Sequence, residues 1–179
     1  MTRPRHSLAI MMAVVVVAVG IAFSVVVPAR ADTTNRPIQN QASGKCLEPS
    51  GRSTAPGAAI VQAKCDGSPA QDWGFVPVGG NTYRLLNRLS GLCLEARGGA
   101  LNDTPVVQAT CRTRSNETWD TGRPAGGIVP LASRVSGSAS HCLDAPGGQA
   151  VDGLALRLYA CSGTPAQQWS VAGVGVVVR

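Results

Sequence analysis

The chain has 179 residues and a formal net charge of +6, with 44% hydrophobic and only 4% aromatic residues. A chain of this length suits one domain with a modest core. The charge is spread along the chain, and the nearest approach to a basic cluster is the pair Arg112 and Arg114 in a presumed loop. Nucleic-acid binding needs clustered basic residues interleaved with aromatic residues, so we expect no nucleic-acid partner.

The first 31 residues have the features of an export signal. Arg3 and Arg5 precede an apolar run over residues 8–27, and the small-residue segment PARA (28–31) follows it. This order predicts a signal peptide over residues 1–31, although a run of this length also fits an uncleaved membrane anchor. Cleavage after Ala31 leaves a secreted chain with no stable membrane insertion, and the loss of three arginines lowers the net charge from +6 to +3.

After the signal, a polar lead-in over residues 32–37 is expected to be mobile. From Ile38 onward, short strand-like runs alternate with turns rich in Gly, Ser, Thr and Pro, and no segment has helical periodicity. Residues 50–57 are predicted to form a turn. The predicted strands begin at Ile38, cover Cys46-Leu47, 58–63, 71–76, 83–87, 93–95 and 105–108, reach Trp119, and continue over 128–131 and 154–159.

One unit occurs three times within the domain 38–179, over about 38–80, 81–127 and 128–175. The clearest copy, HCLDAPGGQAVDGLALRLYACSGTPAQQW (141–169), contains two cysteines, an acid, a tyrosine and a Gln-x-Trp ending. The second cysteine precedes the tryptophan by eight positions in every unit. Three such units can pool Leu47, Leu94, Leu143 and the tryptophans Trp73, Trp119 and Trp169 into one core, which predicts a closed all-β barrel.

The six cysteines fall into one pair per unit, separated by 19, 18 and 19 positions. In a secreted threefold repeat, pairing within each unit is the most economical of the fifteen connectivities. The predicted disulfides are Cys46–Cys65, Cys93–Cys111 and Cys142–Cys161. A zinc site is disfavoured because the chain has no C-x-x-C motif, and a nucleophilic Cys142 beside His141 is disfavoured because a bridged cysteine has no thiolate.

Three cysteine pairs in phase with a Cys-Leu-acid start and a Gln-x-Trp ending resemble the ricin B-chain-like β-trefoil lectins. This module, also grouped as family 13 carbohydrate-binding modules, is found as an appendage of secreted bacterial glycosidases. The resemblance covers about Ile38 to Val171. It implies an all-β, β-trefoil fold and a glycan or polysaccharide partner.

The resemblance also implies a shallow sugar pocket in each unit, made by an acid, an aromatic platform and polar side chains before the tryptophan. In the third unit these positions hold Asp144, Tyr159 and Gln167, while Ala166 replaces the usual Asn. Arg157 stands where the family often has Gln or an aliphatic residue, and it either donates hydrogen bonds to the sugar or points away. We therefore expect the third unit to bind sugar.

The first and second units have lost parts of this pattern. Alanine occupies both platform positions, at Ala63 and Ala109, and Glu117 replaces the glutamine of the second unit. Hydrogen bonds alone are largely matched by those to water, so these units should bind poorly. The weaker candidate residues are Glu48, Gln71, Glu95 and Asn116.

Two other classes of function are alternatives to a lectin. A glycosidase needs two carboxylates across one bond, whereas Glu48, Glu95 and Asp144 occupy equivalent positions in different units and should lie far apart. No G-x-S-x-G, H-E-x-x-H or phosphate-binding motif occurs, so we expect no enzyme and no cofactor. The alternative function is a protein-binding or protease-inhibitory trefoil that acts through a loop such as 121–127. We expect a monomer.

Overall fold

The computed structural model describes residues 35–123 and 125–172, which belong to one unit of the chain. The signal peptide predicted over residues 1–31 lies outside them. The predicted lead-in ends earlier than expected, because Arg36 and Pro37 already lie in a strand and pair with Trp73 and Asp72. Within the two described ranges, no helix has the length and apolar character needed to cross a membrane.

Thirteen short strands and five 3-10 turns form the described part of the chain, and every strand pair is antiparallel. The strands are β1 (Arg36–Asn40), β2 (Cys46–Pro49), β3 (Ile60–Ala63), β4 (Asp72–Gly79), β5 (Thr82–Asn87), β6 (Cys93–Ala96), β7 (Val106–Ala109), β8 (Trp119–Asp120), β9 (Ile128–Pro130), β10 (Ala132–Ser133), β11 (His141–Asp144), β12 (Arg157–Ala160) and β13 (Gln168–Val171). The 3-10 turns are Ser50–Arg52, Pro69–Gln71, Ser115–Glu117, Pro146–Gly148 and Pro165–Gln167.

A closed ring of strands forms the barrel. Strand β1 pairs with β13 and β4, β4 with β5, and β5 with β8. Strand β10 then pairs with β8, and β9 pairs with β13. Because only Leu131 separates β9 from β10, these two strands act as one split strand that closes the ring, so the ring has no exposed edge.

Three hairpins, β2–β3, β6–β7 and β11–β12, accompany the ring, one from each unit. Single bridges join each hairpin to the next around a pseudo-threefold axis. The bridges are Ala59 to Val107, Pro105 to Arg157, and Ala155 to Val61. A ring of six strands, with β9 and β10 counted as one, that is accompanied by three symmetry-related hairpins is a β-trefoil. This is the fold that the sequence predicted.

The core lies inside the ring and is built from equivalent residues of the three units. Trp73, Trp119 and Trp169 are fully buried, as are Leu47, Leu94 and Leu143. Each indole Nε1–H donates to the carbonyl of the leucine in its own unit, at 3.0, 3.0 and 3.1 Å. A buried indole needs a partner for its N–H, so these bonds let three large rings fill the core. The predicted core role of the tryptophans is confirmed.

Each unit carries one disulfide, and the pairing is the predicted one. The bonds are Cys46–Cys65, Cys93–Cys111 and Cys142–Cys161. Each bond ties the first strand of a hairpin to the segment that leads into the next 3-10 turn. In the chain-entropy model, a loop of this length stabilises the fold by about 3 kcal/mol.

Candidate functional site

Strand pairing aligns the three hairpins residue by residue. The position opposite the first cysteine of each unit is Ala63, Ala109 or Tyr159. The acid two residues after that cysteine faces a residue on the second strand of the hairpin. These pairs are Glu48 with Val61, Glu95 with Val107, and Asp144 with Arg157. The third hairpin therefore has a cation and a ring where the other two have Val and Ala.

The four residues predicted for the third unit line one open cavity of about 560 Å³. Asp144 and Arg157 lie on paired strands of the hairpin, Tyr159 follows on β12, and Gln167 ends the last 3-10 turn. The turn after Asp144 contains two glycines with φ near +65°, a conformation that residues with a Cβ rarely adopt. This turn forms one wall of the cavity.

Asp144 and Arg157 form an ion pair inside the cavity. Arg157 Nε donates to Asp144 Oδ2 at 3.1 Å, and the Asp144 side chain is only 8% exposed. A second guanidinium nitrogen, Nη1, donates to Asp103. Burial lowers the pKa of Arg157, but hydrogen bonds to Asp144 and Asp103 outweigh burial, so its pKa is raised above the ordinary value. The Arg157 guanidinium is therefore a fixed cation between two carboxylates. The three groups together carry a net charge of −1.

The ring of Tyr159 lies against the same guanidinium. The central carbon of Arg157 is 4.6 Å from the ring centroid, which is a cation–π contact. Tyr159 is nevertheless 38% exposed, so the supported ring still offers an apolar surface to solvent. Of the two orientations open for Arg157 from the sequence, the structure has the one that faces the site.

Gln167 lines the cavity, but its amide is engaged by the protein. Its Oε1 accepts the backbone N–H of Ser162 at 2.7 Å, and its Nε2 donates to the carbonyl of Ala160 at 3.1 Å. The residue is 1% exposed. These bonds close the loop on both sides of Cys161, so the glutamine holds the cavity wall in place.

Asp103 belongs to the second unit, and the sequence did not identify it as a site residue. Its backbone N–H donates to the carbonyl of Leu158 at 2.9 Å, while Asn102 Oδ1 accepts the N–H of Ala160 at 2.8 Å. These two bonds attach the loop of one unit to β12 of the next and bring the Asp103 carboxylate to Arg157. The only local signal is an Asn-Asp pair in a turn, which is common in turns of any function.

Residues 34–169 match the family model of the ricin-type beta-trefoil lectin domain. The chain belongs to this family. No curated protein sequence matches this lectin domain significantly.

Solved structures resemble the lectin domain across most of its length. The designed threefold-symmetric protein ThreeFoil is 28% identical with a TM-score of 0.72, and the match covers 76% of this chain and 96% of that one. An exo-β-1,3-galactanase from Clostridium thermocellum has the same identity and TM-score, over 78% of this chain but only 30% of the enzyme. The Macrolepiota procera ricin B-like lectin, in complex with lactose, is 20% identical with a TM-score of 0.66, over 78% and 94%. At that identity the last likeness shows the fold alone.

In the first unit of the lectin domain, the candidate residues are hydrogen-bonded to other groups of the protein. Glu48 is 6% exposed and accepts from Gln71 Nε2 at 2.9 Å. Gln71 also accepts the backbone N–H of Asp66 at 2.9 Å and donates to the carbonyl of Lys64 at 2.8 Å. Hydrogen bonds within the protein therefore engage both side chains, and Ala63 provides no aromatic ring beside them.

The second unit of the lectin domain has a different defect. Glu95 is half-buried, and Asn116 donates weakly to the carbonyl of Ala96 at 3.4 Å. Glu117 is fully buried: one oxygen accepts the N–H of Arg112 at 2.5 Å, while Oε1 has no hydrogen-bond partner. At the equivalent hairpin positions, the second unit therefore has an acid but neither the cation nor the aromatic ring of the third unit.

Proposed function

We propose that this lectin domain is a secreted module that binds neutral glycans through the cavity of its third unit. The observation that carries the proposal is the convergence of Asp144, Arg157 and Tyr159 on that cavity. A pyranose has one face of C–H groups, which packs on an aromatic ring, and a rim of hydroxyls, which bond well to charged groups. Both kinds of partner are present within a few ångströms of each other.

In the proposed complex, the apolar sugar face lies on the exposed part of the Tyr159 ring. Sugar hydroxyls donate to the carboxylates of Asp144 and Asp103 and accept from the guanidinium of Arg157. Because the ion pairs and the cation–π contact exist before the sugar arrives, few side-chain rotamers have to be ordered on binding. Gln167 has a positioning role and keeps the loop after Cys161 against the ligand.

The charge of the cluster favours neutral sugars. Two carboxylates surround one guanidinium, so a sugar acid entering this cavity would meet a net negative charge. A monosaccharide has about twelve non-hydrogen atoms, and at about 0.3 kcal/mol per atom the binding free energy is near 4 kcal/mol, which is a Kd of about 1 mM. Weak single-site binding suits attachment to polysaccharides that repeat the same sugar.

Secretion is supported by the three disulfides, which persist in oxidising compartments. Expression of the full sequence in a secreting host followed by N-terminal sequencing of the protein in the medium tests it. The expected N terminus is Asp32. Retention of the protein in the membrane fraction would support the alternative of an uncleaved anchor.

A polysaccharide screen with four variants tests the site. Tyr159→Ala and Asp144→Ala should abolish binding to the neutral glycans that the wild-type domain retains. Glu48→Ala and Glu95→Ala remove equivalent acids from the other units and should leave binding unchanged. Thermal unfolding under non-reducing conditions checks that each variant is folded.

Two outcomes of this screen would contradict the proposal. Equal losses from all four variants would refute a single site in the third unit. No binding to any glycan, together with inhibition of a secreted protease, would favour the protein-binding alternative.

A further inference from the structure

A second cavity, of about 340 Å³, lies between the β4–β5 hairpin and the loop after Cys111. It shares no lining residue with the cavity of the third unit. Two arginines line it, Arg84 on β5 and Arg114 in the loop, and no carboxylate among the described residues lines it. We call it the arginine pocket.

Both guanidinium groups of the arginine pocket are unpaired within residues 35–123 and 125–172. Neither Arg84 nor Arg114 makes a side-chain hydrogen bond or ion pair there, whereas Arg52, Arg88 and Arg157 each have a carboxylate within 4 Å. Arg84 is also half-buried. Partial removal of an unpaired cation from water is unfavourable, and a bound anion would offset that cost.

The rest of the pocket wall combines hydroxyls with an apolar surface. Thr118 Oγ1 donates to the carbonyl of Ser115 at 2.8 Å, and Ser115 Oγ donates to the carbonyl of Val135 at 3.3 Å, so both hydroxyl oxygens can still accept from the hydroxyls of a sugar, while the anion itself is left to the two arginines. Pro77 and Val78 form the apolar side, and Val78 is 53% exposed. Guanidinium groups fit oxyanions, and the apolar side fits the C–H face of the ring that carries the oxyanion.

From these contacts we infer that the arginine pocket binds the carboxylate or sulfate of an acidic polysaccharide. Its volume is at the lower end of the roughly 300–1,000 Å³ of ligand sites, which suits one charged sugar unit. None of the described residues that line it is aromatic, so they offer no stacking surface of the kind on which single-stranded nucleic acid is bound. The inference that the pocket binds an anion depends on the two arginines. The choice of a polysaccharide as the molecule that carries the anion depends on the proposed function.

The two cavities therefore have opposite electrostatic preferences. The third-unit cavity has a net negative charge and takes neutral sugars, while the arginine pocket has two cations and takes acidic ones. A polymer with both kinds of sugar could occupy both cavities at once, and binding at one would raise the effective concentration at the other.

The test is a calorimetric titration of the disulfide-bonded domain with short oligosaccharides of heparin and of polygalacturonate, at low and at physiological salt. Wild-type binding should weaken with salt, as expected for ion pairs near the surface. The double variant Arg84→Gln/Arg114→Gln should lose about tenfold or more in affinity, because charge-assisted hydrogen bonds are lost. Arg97→Gln/Arg123→Gln removes the same charge from exposed arginines outside the pocket and should lose less than about twofold.

Tyr159→Ala separates this inference from the proposed function. It should leave the affinity for the acidic oligosaccharides unchanged even where neutral glycan binding is lost. Equal losses in the two double variants would overturn the inference, because they would indicate diffuse attraction by net charge. The inference would also be overturned if neither acidic oligosaccharide bound. The same holds if single-stranded DNA bound as tightly as the acidic oligosaccharides and Arg84→Gln/Arg114→Gln abolished that binding.

Discussion

Replacing Glu117 with glutamine should stabilise the lectin domain. Glu117 is fully buried, and its Oε1 has no hydrogen-bond partner, although its other oxygen accepts the N–H of Arg112. The first unit has Gln71 at this position, and its Nε2 donates to the carbonyl of Lys64 at 2.8 Å. In the second unit the equivalent carbonyl belongs to Thr110. A carboxylate has only acceptor oxygens, so the Glu117 carboxylate cannot donate a hydrogen bond to this carbonyl.

The magnitude follows from the cost of one unsatisfied buried group, which is about 1–3 kcal/mol. Glu117→Gln replaces Oε1 by a donor and keeps the oxygen that accepts from Arg112. The free energy of unfolding should therefore rise by about 1–3 kcal/mol, and each kcal/mol should raise the Tm by about 3–4 °C in a domain of this size.

Calorimetry and guanidinium unfolding under non-reducing conditions measure this change. The matched control is the reverse substitution, Gln71→Glu, which places a carboxylate oxygen where Nε2 now donates to Glu48 at 2.9 Å. It should lower the free energy of unfolding by at least as much as Glu117→Gln raises it. A Tm that is unchanged or lower in Glu117→Gln would refute the argument from repeat equivalence.

Two further predictions concern exposed carboxylates. Asp103→Ala should weaken neutral glycan binding several-fold, because Arg157 loses one of its two anchors, while stability changes by less than about 1 kcal/mol. Its control is Asp152→Ala, which removes a similarly exposed ion pair with Lys45 and should leave binding unchanged; equal effects on binding would contradict the role of Asp103. The pKa of Asp66 lies below its ordinary value, chiefly because the Ser68 N–H donates to the carboxylate and also because Arg52 donates to it. Its folded-state pKa is depressed, so its contribution is present above about pH 4 and is lost as the pH falls below that. Asp66→Asn should flatten the stability–pH curve below pH 4, and an unchanged curve would count against this contribution.

The repeat made the covalent structure and the core predictable from sequence. The spacing of eight from second cysteine to tryptophan is the same in each unit, and the structure uses it in the same way three times. Each indole donates to a leucine carbonyl of its own unit, and each disulfide closes within its unit. Contacts inside one unit follow from local spacing, so three copies are enough to infer them.

Contacts between units could not be predicted in this way. Asp103 reaches Arg157 across 54 positions, because the loop of the second unit packs on a strand of the third. Arg36 falls in the segment that the sequence predicts to be a mobile lead-in, because its pairing with Trp73 depends on closure of the barrel and leaves no local signal. Such contacts depend on how the units pack around the pseudo-threefold axis, which no single unit encodes.

The role of Gln167 illustrates a second limit. The resemblance to lectins implied a polar contact to sugar, whereas the amide bonds to both sides of Cys161. In the third unit the Gln-x-Trp motif lies beside the proposed site, where a ring and a carboxylate accompany it, but Gln71 makes the same loop bonds in a unit without a ring. The motif therefore reports the geometry of the fold more directly than it reports binding.

Chemical-shift mapping with a neutral glycan that the domain retains tests the central claim most directly. The ¹⁵N-labelled domain is titrated, and amide shifts are followed in all three units. Binding in the third unit predicts that shifts concentrate in residues 144–148, 157–160 and 162–167, with saturation in the millimolar range. Shifts that concentrate instead around Glu48 or Glu95, or that spread equally over the three units, would contradict a single sugar site built on Tyr159.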